Sequence, residues 1–125
     1  MEDFAHLDAV LCALRAVRVR RPGDEKKYLQ PLIADALTAA GIDHGSEVAV
    51  GRGRVDFLTA AGVAIEVKRG RPPVAQLLGQ LHRYAESPDV SALIVVLERS
   101  VQLPEIICGK PVRVLSLNAL WGPAV

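Results

Sequence analysis

No stretch of this 125-residue chain is apolar for long enough to cross a bilayer, although half of its residues are hydrophobic. The longest such runs, Ala92 to Leu97 among them, fall far short of the roughly 20 residues a spanning helix needs. A secretory leader is not expected either, because Glu2 and Asp3 precede any basic residue and Asp8 interrupts the apolar stretch that follows. Cysteine is scarce. Cys12 and Cys108 stand alone on apolar segments, without the paired spacing of a zinc or redox site, and are expected to be buried thiols in a reducing, cytoplasmic compartment. His6, His44 and His82 have no metal-site spacing, and no Ser-His-Asp or Cys-His arrangement is supported. Gly51-x-Gly53 has neither the length of a phosphate-binding loop nor its terminal Lys-Ser/Thr. There is no repeat, low-complexity run or interdomain linker, so a single domain over 1–125 is expected.

Excess charge of one sign is also missing: 15 Lys plus Arg against 14 Asp plus Glu leave a formal net charge of +1, which argues neither for nor against a nucleic-acid partner. Distribution says more. Arg18, Arg20, Arg21, Lys26 and Lys27 form one basic cluster, and Arg52, Arg54, Lys68, Arg69 and Arg71 surround an acidic pair. Such local patches can contact phosphates while the whole surface stays nearly neutral. The first cluster reads equally well as a solvated face.

Along the chain, Phe4, Leu7, Val10, Leu11, Leu14 and Val17 recur at helical spacing and predict an amphipathic helix over about 3–17, with Asp3 as its cap. This helix could cover a sheet face or pair with a second subunit. A second helix carries Leu29, Leu32, Ile33, Ala36 and Leu37 and stops at Gly41. Pro31 either kinks it or marks its first turn, and in the latter case Glu25 sits on the connector. From Ser46 the period changes to two: strands are predicted over Glu47–Val50, Arg54–Thr59 and Val63–Val67, separated by tight turns. That period sets Glu66 and Lys68 on one face. Pro72-Pro73 opens a third helix to about Ser87, on which Gln76, Gln80 and Arg83 lie at i, i+4 and i+7 as a polar stripe. Apolar strands Ala92–Leu97 and Val112–Leu117 follow, and the strand-helix-strand order predicts a parallel crossover. Trp121 in the tail could cap the domain.

Asp56, Glu66 and Lys68 then stand out. An acidic residue in a short strand is often solvent-facing, with Val55 and Phe57 as its buried side, and Glu66 with Lys68 could be an ordinary exposed edge pair. Against that, the surrounding strand residues are strongly apolar, and the polar ones converge near turns that carry Arg52, Arg54, Arg69 and Arg71.

The run Gly53-Arg54-Val55-Asp56-Phe57-Leu58, followed by Ala64-Ile65-Glu66-Val67-Lys68, resembles the core motif of the PD-(D/E)XK nuclease superfamily, the restriction-endonuclease-like fold. Glu-x-Lys alone is a weak signal. The preceding Gly-Arg-x-Asp strand, the hairpin-length gap and the following Gln-x-x-x-Gln helix give it specificity, and Val55 stands where the family's name has proline. The resemblance implies an α/β domain with a central mixed sheet of about five strands flanked by helices. It further implies Asp56 and Glu66 as ligands of Mg²⁺ or Mn²⁺, Lys68 as the residue that positions the attacking water, and Glu25 as the acidic residue of the first core helix. Gln76 or Gln80 would match the polar position after the motif, and Arg52, Arg54, Arg69, Arg71 and Arg83 would contact nucleic acid, Arg54 equally being a structural partner of a nearby carboxylate.

The residue types suit that chemistry. Carboxylates are hard oxygen ligands for Mg²⁺ or Mn²⁺, ions that also bind substrate phosphate, offset charge in the transition state and acidify bound water. Lys68, favoured in its charged form by the two carboxylates, is better suited to electrostatic positioning than to general-base work. The expectation is therefore a metal-dependent DNA endonuclease, structure-specific or resolvase-like. Similar compact nucleases include junction resolvases, repair nucleases and phage enzymes, many of them dimers, so the resemblance implies a homodimer acting on DNA in a bacterial, archaeal or phage-infected cytoplasm. The rival reading is a DNA-binding or assembly protein on the same fold without turnover, with RNA binding left open.

Overall fold

The computed structural model describes residues 4–17, 26–99 and 101–116, with side chains from residue 29 onward in the second helix. Glu25, Arg18, Arg20, Arg21, Asp3 and Trp121 lie outside the described residues, as do the side chains of Lys26 and Lys27. The elements run α1 (Ala5–Arg15), α2 (Lys26–Ala39), β1 (His44–Val50), β2 (Gly53–Thr59), β3 (Val63–Lys68), α3 (Val74–Ala85), β4 (Ala92–Leu97), β5 (Ile106–Ile107) and β6 (Lys110–Ser116).

The strands form one open mixed sheet in the order β1-β2-β3-β4-β6-β5. The hairpins β1/β2 and β2/β3 are antiparallel, whereas β3/β4 and β4/β6 are parallel. A parallel neighbour cannot be reached by a tight turn, so α3 carries the chain from β3 to β4 across one face of the sheet, as the strand-helix-strand pattern predicted. Period two on β3 sorts its residues: Val63, Ile65 and Val67 join the α1 and α2 residues Leu7, Val10, Leu14, Ile33 and Leu37 in one core. Ala64 faces Leu77, Leu81 and Tyr84 of α3 in the other. The central strand β4 is buried along its whole length because both of its faces are covered. Each Leu, Ile or Val so buried contributes about 1.5–3 kcal/mol relative to exposure.

Several expectations need correction. The sheet has six strands rather than five, because the two-residue β5 pairs with Lys110 and Pro111 inside what reads as an irregular connection. Strand β1 begins at His44, three residues before Glu47. Its start is a sheet edge whose exposed Gly45 and Ser46 pair through their backbones, so no apolar period marks it. Pro31 lies inside α2 and does not begin it. Neither cysteine is buried. Cys12 shares the outer side of α1 with Asp8 and Arg15, while Cys108 adopts φ 52° in the turn between β5 and β6 and makes only a long contact, 3.9 Å, to His82 Nδ1.

Two turns depend on left-handed glycines. Gly41, at φ +74°, ends α2 as expected, the Ile42 N–H donating back to the Leu37 carbonyl at 2.9 Å. Gly62, at φ +96°, turns β2 into β3, and its carbonyl accepts the Ser91 N–H at 2.7 Å. A Cβ on Gly62 would meet the Asp89 carbonyl oxygen at 2.8 Å. Gly62→Ala is expected to lower unfolding stability by about 1–3 kcal/mol through left-handed strain and that collision, measured by urea denaturation; a wild-type midpoint would contradict this.

Candidate active site

Asp56 and Glu66 are the buried carboxylates of the sheet, 6% and 4% exposed. The antiparallel ladder between β2 and β3 pairs Phe57 with Ile65 and Leu58 with Ala64 and ends there; one further step in the same register would set Asp56 opposite Glu66. Beyond the ladder's end the strands are joined by a side chain. The Val67 N–H donates to Asp56 Oδ2 at 2.7 Å, while Gln30 Nε2 of α2 donates to Oδ1 at 3.0 Å.

A change of phase in the β1/β2 hairpin accounts for the burial of Asp56. By simple alternation Val55 and Phe57 would share a face, but Val55 packs against α3 and Phe57 against α1 and α2. The hairpin twists over at Asp56, where the β1/β2 pairing lapses between Ser46↔Phe57 and Val48↔Val55 and Glu47 takes φ 53°. Residues 55, 56 and 57 are consequently all buried, and the carboxylate is drawn in between the two cores.

Glu66 lies on the α3 face. Its Oε2 is 3.1 Å from Lys68 Nζ, as the shared face of residues 66 and 68 requires, and Oε1 lies 3.3 Å from the Tyr84 hydroxyl. Tyr84 is buried at the centre of the cluster and donates to the Arg54 carbonyl at 2.9 Å. Burial, followed by the negative charge of Glu66, pushes its pKa well above the usual tyrosine value; Asp56 acts in the same direction, and a hydrogen bond from Gln80 opposes them. Both carboxylates thus bear on one hydroxyl.

The polar stripe of α3 lines a cleft that the carboxylate cluster reaches through Lys68. Gln76, Gln80 and Arg83, with Lys68, Pro72 and Leu77, line a cleft of about 180 Å³. Of the other predicted contacts, Arg69 and Arg71 are exposed beyond β3. Arg52 pairs with Glu86 at 3.2 Å in solvent, and Arg54 Nη1 donates to the main-chain carbonyl of Glu47 at 3.1 Å. Two participants were not foreseen. Gln30 is a polar residue within the Leu29, Ile33, Leu37 stripe, a misplacement that could have signalled it; Tyr84 read as an ordinary apolar position of α3.

The donor set suits a hard cation. Mg²⁺ is usually held by one or two carboxylates, with water and substrate phosphate completing its shell. Asp56 and Glu66 offer those oxygens; among the described residues no group of three His, Cys, Asp or Glu side chains could hold a metal ion, so substrate and water oxygens would have to supply the rest.

The raised pKa of Tyr84 carries a stability consequence. Between the ordinary tyrosine value of 10.0 and the higher folded value, the unfolded chain loses its proton while the native chain keeps it. Stability should be fully present below that ordinary value and fall as the solution becomes more alkaline. Tyr84→Phe should flatten this alkaline decline in urea unfolding; an identical decline in the variant would refute it.

Residues 17–100 match the model of the family described as Domain of unknown function (DUF8371), a span that contains Gln30, Asp56, Glu66, Lys68 and Tyr84. No curated protein matches the chain. No solved structure matches it. Among the described residues no helix is long and apolar enough to cross a membrane. With two thirds of its length matched, the chain belongs to the DUF8371 family, whose defining region holds the whole carboxylate cluster.

Proposed function

We propose that the protein is a restriction-endonuclease-like, metal-dependent deoxyribonuclease that hydrolyses phosphodiester bonds in DNA. The observation that carries this reading is the pair of buried carboxylates from adjacent strands, Asp56 and Glu66, with the Lys68 ammonium 3.1 Å from Glu66. The Glu66–Lys68 ion pair does not by itself account for a second buried carboxylate at Asp56, since burying each is costly unless it is matched by charge and hydrogen bonds.

Asp56 and Glu66 would hold Mg²⁺ or Mn²⁺, which when bound polarises the scissile phosphate and acidifies a water. Lys68, partly exposed, lines the Gln76–Gln80–Arg83 cleft and is held by Glu66 through its ammonium. There it orients the attacking water and offsets charge on the phosphate. Gln76 and Gln80 line the same opening, and Arg83 adds a phosphate contact that contributes affinity without sequence information. The exposed Arg69 and Arg71 extend this basic rim along the duplex. Burial of Asp56 and Glu66 excludes competing water from the ligand side and strengthens every charge interaction there.

The test is cleavage of linear, nicked, flap and four-way DNA, with RNA for comparison, in Mn²⁺ and in EDTA. The wild type should cleave DNA only with the metal, and Glu66→Gln, folded by circular dichroism, should fall to the metal-free background. Full cleavage by that variant would sink the assignment; DNA binding that survives EDTA without turnover would favour a non-catalytic binder. Arg83→Ala should weaken DNA binding about equally for all sequences and reduce the slope of log affinity against log salt by about one. An unchanged slope would remove Arg83 from the interface.

A further inference from the structure

Tyr84 does more than fill the α3 core. Its hydroxyl, carried on α3, has one proton and two acceptors within reach, the Arg54 carbonyl at 2.9 Å on β2 and Glu66 Oε1 at 3.3 Å on β3. Three elements therefore meet at one oxygen atom, just past the point where the β2/β3 ladder has ended.

The ring is held as firmly as the hydroxyl. A Cβ on Gly53 would meet Tyr84 Cε1 at 2.6 Å and Cδ1 at 3.1 Å, so the first residue of β2 lies directly against the ring and leaves no room for a side chain. This explains why the Gly-Arg-x-Asp strand opens with glycine: the missing methyl lets β2 settle onto the tyrosine, and the Arg54 carbonyl then comes within reach of its hydroxyl. With backbone pairing lost between Asp56 and Glu66, the phenol adds a second side-chain link between the strands beside the one from the Val67 N–H to Asp56.

We infer that Tyr84 is a positioning residue that fixes the Glu66 carboxylate, and the strand end at Arg54, for a divalent ion held together with Asp56; this rests on the nuclease reading above. The phenol touches neither ion nor substrate. It acts by keeping Glu66 in one rotamer, with Oε1 tied to Tyr84 and Oε2 toward Lys68, as groups behind metal ligands commonly do.

Tyr84→Phe tests this, because it keeps the ring against Gly53 and removes only the hydroxyl. Mn²⁺ affinity, followed by electron paramagnetic resonance and calorimetry without DNA, should weaken about tenfold, and kcat should fall by a similar factor with KM for DNA within about twofold. Val90→Ala, a buried deletion in the same core away from the cluster, serves as a stability control and should leave Mn²⁺ affinity unchanged. Wild-type Mn²⁺ affinity in Tyr84→Phe, or an equal loss in Val90→Ala, would overturn the role. A wild type that neither takes up Mn²⁺ nor cleaves DNA would instead sink the nuclease reading and, with it, the positioning role.

Discussion

Two carboxylates lie almost out of solvent between β2 and β3, and most of the polar arrangement around them answers to that single electrostatic constraint. A buried charge survives only where hydrogen bonds and opposite charge replace water. For Asp56 the replacements include a main-chain N–H from β3 and the Gln30 amide from α2; for Glu66 they include the Lys68 ammonium and the Tyr84 hydroxyl. The donors come from both faces of the sheet, so the cluster ties together elements that the two apolar cores would otherwise hold independently.

The sheet yields to make this possible. An unbroken β2/β3 ladder would satisfy the Val67 N–H through backbone pairing and leave no task for a side chain, whereas here the ladder stops and Asp56 takes that amide. The twist of the hairpin at Glu47 and Asp56 sets Val55 and Phe57 on opposite faces, which lets one end of β2 pack on α3 and the other on α1 and α2. Local irregularity of this kind is costly and is kept where surrounding contacts over-determine it. Gly53 against the Tyr84 ring and Gly62 against the Asp89 carbonyl are two such contacts, each a place where a methyl group would not fit.

Around the cluster, the charged groups divide by what they reach. Lys68 and Arg83 line the cleft with the two glutamines of α3, Arg69 and Arg71 are exposed beyond β3, Arg52 pairs with Glu86 and Arg54 donates to the Glu47 carbonyl. The near-zero net charge is thus compatible with local clustering: among the described residues, Lys68, Arg69 and Arg71 lie at or just beyond the end of β3, the strand that carries the buried Glu66.

Much of the architecture was written in period and punctuation. Helical spacing marked α1 and α3, the change to period two at the hairpins marked β2 and β3, and Gly41, Gly62 and Pro72-Pro73 marked ends, because these signals act within a few residues. The pairing of Glu66 with Lys68 followed from the same alternation. What the chain could not announce locally were contacts between distant segments: Gln30 reaching Asp56, Tyr84 joining β2 to β3, the two-residue β5 and the polar edge at the start of β1. The solvent-facing cysteines belong with these, since whether a small apolar side chain is covered depends on what packs over it. Sequence alone fixed which residues were chemically able to form a charged site; only the tertiary structure decided that the carboxylates would be buried together, because burial and hydrogen bonding are set by neighbours far away along the chain.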